Sequence, residues 1–178
     1  FGCLVGSEMC IRDSLTTGDT AYIDSTVIDG EESTSAATFI SGEDSTSVLV
    51  GLSLSNGYTT INGGGGIRIE NSDPRLKNLK VFSNFANIGG GGISCEACDS
   101  RITNVTINNN SSSGKGGGIR IFNGSNPELI DVAINSNSST EQGGGISIEG
   151  LPGNSIELDF DRLIVQENTS ATVGGGIY

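Results

Sequence analysis

Residues 108–121 read NNNSSSGKGGGIRI. The Gly-Lys pair beside a glycine run suggests a phosphate-cradling loop, but that loop needs Ser or Thr directly after the Lys, and Gly116 stands there. A phosphate loop also occurs once per site. Here a glycine run closed by Ile appears five times, ending at Ile67, Ile93, Ile119, Ile146 and Ile177, with spacings of 26, 26, 27 and 31 residues. A period of this size marks a solenoid, in which each repeat is one rung stacked on the last. The glycines therefore shape a corner, where they supply positive φ and let neighbouring backbones approach closely.

A second marker fixes the register. Asn84, Asn110, Asn137 and Asn168 each stand nine residues before the Ile of their own repeat. Apolar residues lie three and five positions before each Asn: Val81 and Leu79, Ile107 and Val105, Ile134 and Val132, Val165 and Leu163. Leu76, Ile102, Leu129 and Phe160 open the same half of the repeat, and after the glycines the alternation restarts, as in Ile67 and Ile69 or Ile119 and Ile121. Alternation over so few residues, bounded by Gly, Asn, Asp and Pro, means short strands rather than helices. Stacked in register about 4.8 Å apart, such rungs form a parallel β-helix with ladders of Ile, Leu and Val inside. The four asparagines become a structural ladder, because an amide has both a donor and an acceptor to offer along the stacking axis.

The whole chain agrees with this reading. Its 178 residues suffice for one domain, and with 21 acidic residues against 9 basic and no His it carries a net charge of −12. Such a field repels nucleic acid, and no apolar run is long enough for a helix to span a bilayer. Residues 1–14, FGCLVGSEMCIRDS, lack the Ser/Asn/Gly texture and resemble a translated adapter; we read them as a leader outside the fold. The β-helix domain is then 15–178, its first turns worn and its last strand broken off at Tyr178, so that further rungs are expected to follow. About six rungs of roughly 26 residues can be counted.

Residues 72–93, SDPRLKNLKVFSNFANIGGGGI, and 125–146, SNPELIDVAINSNSSTEQGGGI, resemble the right-handed parallel β-helix repeat family of the pectate-lyase-like superfold. Their Gly-Gly-Gly-Ile and apolar-x-x-Asn motifs are also similar to the Gly-Gly-Ala-Ile and Phe-x-x-Asn motifs of chlamydial polymorphic outer-membrane proteins, with Val or Ile at Val81, Ile107, Ile134 and Val165 in place of Phe. The resemblance implies an all-β, right-handed parallel β-helix and an extracellular or bacterial cell-surface location. It does not imply one activity, since such repeats serve lyases, glycosidases and adhesins alike.

Function must therefore be read from unusual columns. The strand after the glycines puts Arg68, Ser94, Arg120 and Ser147 in one outward column and Glu70, Glu96, Phe122 and Glu149 in the next. Arg68, Glu70, Glu96, Arg120, Phe122 and Glu149 are the candidate ligand-binding residues, with polysaccharide or cell-surface glycans as the partner they suit. Glu70 and Glu96, one rung apart, would repel unless a cation or Arg68 lies between them. Two readings follow: a non-enzymatic stalk or adhesin-like segment, or a polysaccharide lyase or glycoside hydrolase with its groove on this face. Carboxylates one rung apart approach the roughly 5 Å spacing of retaining glycosidases, yet no calcium cluster with a basic residue beside it appears, and no catalytic residue is assigned. Calcium is the only cofactor the acidic surface suggests. Cys95 and Cys98 form a lone CxxC, in which Cys95 takes the inward position of Ile69 and Ile121. It reads as a small core residue, with a local disulfide or redox role as the alternative.

Overall fold

The computed structural model describes residues 10–12, 23–151 and 158–178, with side chains described from residue 23 onward. It is all-β. The chain begins with β1 (Cys10–Arg12), β2 (Val27–Asp29) and β3 (Ala37–Phe39), and then repeats one unit of an eight-residue, a two-residue and a four-residue strand. These are β4 (Val48–Ser55), β5 (Tyr58–Thr59) and β6 (Ile67–Glu70); β7 (Arg75–Phe82), β8 (Phe85–Ala86) and β9 (Ile93–Glu96); β10 (Arg101–Asn108), β11 (Ser111–Ser112) and β12 (Ile119–Phe122); β13 (Glu128–Asn135), β14 (Ser138–Ser139) and β15 (Ile146–Glu149). A last turn holds β16 (Asp159–Asp161), β17 (Ile164–Gln166) and β18 (Thr169–Ser170).

Every pairing is parallel, and strands pair with their copies one turn away. Three sheets result. The long strands run β1-β4-β7-β10-β13-β16, joined by β2 and β17, while two five-stranded sheets follow β18-β14-β11-β8-β5 and β15-β12-β9-β6-β3. The described residues thus make a parallel β-solenoid of about five turns, where about six rungs can be counted over the whole sequence. β1 belongs to the stretch read as outside the fold, and its residues run beside Val48–Val50. Residues 150–157, GLPGNSIE, lengthen one repeat in the sequence, and most of them also lie outside the described residues.

The long strands explain why the apolar spacing is three and then two. In β10, Ile102, Val105 and Ile107 are buried, although the step from 102 to 105 breaks a strict alternation. Asn104 between them adopts φ 53°, a left-handed residue that resets which face the chain presents. Gly51, Asn78, Asp131 and Arg162 do the same at this place in the other turns. The inward ladders Leu49-Leu76-Ile102-Leu129, Leu52-Leu79-Val105-Val132 and Ile67-Ile93-Ile119-Ile146 are buried in one continuous core. Each fully buried aliphatic chain contributes about 1.5–3 kcal/mol that a single rung could not supply alone. Ile177 pairs with Ile146 in the last turn, where it is 45% exposed.

The glycine corner has a different task at each position. Gly90 has φ 63°, in the left-handed region. A Cβ on Gly91 would come 2.3 Å from the Ser111 carbonyl oxygen of the next turn. The corner thus needs glycine once for conformation and once for close approach.

Beside it runs the asparagine ladder. Asn110 Oδ1 accepts from Asn84 through the backbone N–H at 3.0 Å and Nδ2 at 2.9 Å, and Asn110 Nδ2 donates to Asn137 Oδ1 at 3.0 Å and to the Val81 carbonyl at 3.0 Å. Asn137 repeats the pattern onto Asn168. Gly57 occupies the Asn position of the first regular turn and donates its backbone N–H to Asn84 Oδ1 at 2.8 Å.

Candidate functional site

The columns read from the sequence are columns in the structure, although Ser94 and Ser147, read as outward, are buried. β6, β9, β12 and β15 align Arg68 with Ser94, Arg120 and Ser147, and Glu70 with Glu96, Phe122 and Glu149. Their charged groups are already engaged. Arg68 pairs with Glu70 on its own strand through Nη2. Glu96, in register beside Glu70, accepts from Asn123 Nδ2 at 2.7 Å, so each of the two carboxylates has a partner of its own. Arg120 Nε donates to Glu149 at 2.7 Å while its guanidinium lies 4.2 Å from the centre of the Phe122 ring, a cation–π contact. Lys115 reaches the other oxygen of Glu149 at 2.9 Å. Burial opposes the ionised Glu149, but the hydrogen bonds and charges of Arg120 and Lys115 outweigh it and hold this carboxyl below its ordinary pKa.

A recess of about 150 Å³ opens on this face. Arg68, Ser94, Glu96, Arg120, Phe122 and Ile88 line it. Ile61 and Asn62 line it as well, and Ile61 is 76% exposed. With its amide oriented to satisfy both partners, Asn62 accepts from Arg68 Nη1 at 3.2 Å.

The recess arises where the repeat departs from itself. The residue before the left-handed glycine of each corner forms a column through Gly63, Gly89, Lys115, Gln142 and Val173, joined by backbone hydrogen bonds from turn to turn. In the first two turns that residue is glycine, which is why residues 63–66 and 89–92 are runs of four rather than three. A Cβ at Gly63 would stand 2.5 Å from Ser94 Oγ, and one at Gly89 would stand 2.7 Å from Arg120 Cδ. Side chains there would crowd Ser94 and Arg120, which line the recess. In the next turns Lys115 and Gln142 bring side chains to this column.

One further feature went unread in the sequence, and another was read there only as an alternative. Tyr58 and Phe85, one turn apart on β5 and β8, stack with ring centres 5.0 Å apart, around the corner from Ile61. Their signal was present as two aromatics 27 residues apart in one register. Cys95 and Cys98 are disulfide-bonded and almost wholly buried, so Cys95 is both a core residue and a bonded one. The bridge encloses Ala97, which has φ 47° at a corner where the neighbouring turns carry Asn71 and Asn123, residues better suited to that conformation. Among the described residues, no group of three or more His, Cys, Asp or Glu is placed to hold a metal ion.

A family model described as the Chlamydia polymorphic membrane protein repeat matches residues 104–121, from the left-handed Asn104 through the ladder Asn110 to Ile121 on β12. The repeats of this β-solenoid are similar to chlamydial polymorphic membrane protein repeats. No curated protein and no solved structure matches the chain. Among the described residues, no helix is long and apolar enough to cross a membrane.

Proposed function

We propose that the chain is a non-enzymatic β-helical segment of a bacterial cell-surface or extracellular protein, a stalk or adhesin-like passenger that presents the β6-β9-β12-β15 face to glycans. The observation that carries this reading is the likeness of residues 104–121 to a repeat of polymorphic membrane proteins, within a solenoid built from copies of the same unit. The recess gives that surface a place to hold a ligand. The alternative, a lyase or glycoside hydrolase, is less well supported. Glycoside hydrolysis needs one carboxyl kept protonated near a second, ionised one, but Glu70, Glu96 and Glu149 are each committed to Arg68, Asn123 or the Arg120–Lys115 pair. The test is retention of the chain on a panel of immobilised neutral and acidic polysaccharides, with calcium and with chelator, scored together with release of shortened sugars. Retention without cleavage is the expected result. Cleavage would overturn the proposal in favour of the enzyme.

A further inference from the structure

Building on that glycan-presenting reading, we infer that the recess between Arg68 and Arg120 is a subsite for one ring of an uncharged sugar, not for a uronate or another anionic ligand. The first argument is charge. Arg68, Arg120 and Glu96 line the recess, and beside it Glu70 pairs with Arg68 while Glu149 pairs with Arg120 and Lys115, so three cations stand against three carboxylates at and around it. No net charge remains locally to attract a carboxylate, and the −12 of the whole chain repels one.

The second argument is hydrogen-bonding form. The guanidinium groups, the Glu96 carboxylate and the Asn62 amide are planar, two-pronged groups, each already held by a protein partner. Such groups suit the adjacent hydroxyls of a sugar ring and lose little further freedom on binding it. The apolar lining from Ile88 and Phe122 suits the C–H faces of the same ring. Size is the third argument: about 150 Å³ falls below the roughly 300–1,000 Å³ of pockets that enclose drug-sized ligands. The recess therefore takes a single ring or a chain end. The paired glycines Gly63 and Gly89 leave Ser94 and Arg120 uncrowded, besides allowing the close backbone approach of the next turn.

The experiment is an amide NMR titration of the full chain with maltotriose, cellotriose, galactotriose and N-acetylated chitotriose, and with trigalacturonate for comparison. At least one neutral trisaccharide should shift the Ser94, Glu96 and Phe122 resonances, with an affinity unchanged from about 0.05 to about 0.5 M salt. Phe122→Ala should weaken it about fivefold. Ile88→Trp, at an exposed position that narrows the mouth, should weaken it as well without altering the spectrum elsewhere. Preferential, salt-sensitive binding of trigalacturonate would overturn the inference and leave the glycan-presenting reading standing, as would neutral sugars that shift only resonances outside the recess. No shift with any of the five would also overturn it, and the polysaccharide panel would then decide the broader reading separately. Shortening of a sugar during the titration would end both.

Discussion

Asn110 uses its side chain fully. It accepts twice from Asn84, donates to Asn137 and Val81, and is 1% exposed. Asn110→Ala would strand two buried donors on Asn84, each costing about 1–3 kcal/mol when left unmade, while Asn137 Oδ1 keeps the backbone N–H of residue 110. We expect a loss of about 3 kcal/mol, which in a chain of this length lowers Tm by roughly 6–12 °C. Thermal unfolding followed by circular dichroism checks this, and an unchanged Tm would mean that the ladder carries no stability. The residue scale is also where the sequence was most legible. The constant nine-residue step from Asn to Ile located the ladder and the corner together. The pairing of individual charges was not legible, because it depends on rotamers and corner conformation. Spacing placed Glu70 beside Glu96, as the register has it, but gave no sign that Glu96 takes its hydrogen bond from Asn123 in the other neighbouring turn.

Adjacent strands make the next scale. Glu149 on β15 ties that strand to β12 through Arg120 and to the preceding glycine corner through Lys115. Since its folded pKa is lowered, the ionised carboxylate stabilises the native state at neutral pH, and that contribution is lost as the pH falls through the folded value. Glu149→Gln should therefore be less stable than the wild type near pH 7, by about 1 kcal/mol or less given the partial exposure of all three side chains. The difference in Tm should narrow as the pH drops below the ordinary glutamate value of 4.5. A gap independent of pH would show that the carboxylate charge adds nothing. The recess belongs to this scale too, and its signal was in plain view as two runs of four glycines against three runs of three. Recognising it required knowing that the extra glycine stands in the column of Lys115 and Gln142, which only the aligned turns reveal. Likewise, Tyr58 and Phe85 look unrelated until β5 and β8 are paired.

For the whole molecule, period decided nearly everything. Short alternating strands, glycine corners and a 26-residue repeat were enough to derive parallel stacking and the identity of the core. Composition contributed less, because −12 of net charge is compatible with many folds. The Cys95–Cys98 bridge was left open for a physical reason: a small buried residue and a bonded one look alike at an inward position.

The inter-turn hydrogen bonds also set how the molecule carries load. They join each strand to its copy in the next turn, and so lie along the solenoid axis rather than across it. Tension applied along that axis acts on one end turn at a time, so the molecule should peel like a zip instead of yielding at once like a sheet pulled in shear. Each turn released would add about 26 residues of slack, roughly 90 Å of extended chain. Single-molecule pulling should record a run of low, evenly spaced force peaks at that interval. A single tall peak would mean that the turns fail together. A surface stalk built this way would act as a shock absorber, giving length under strain and rewinding when the strain is released.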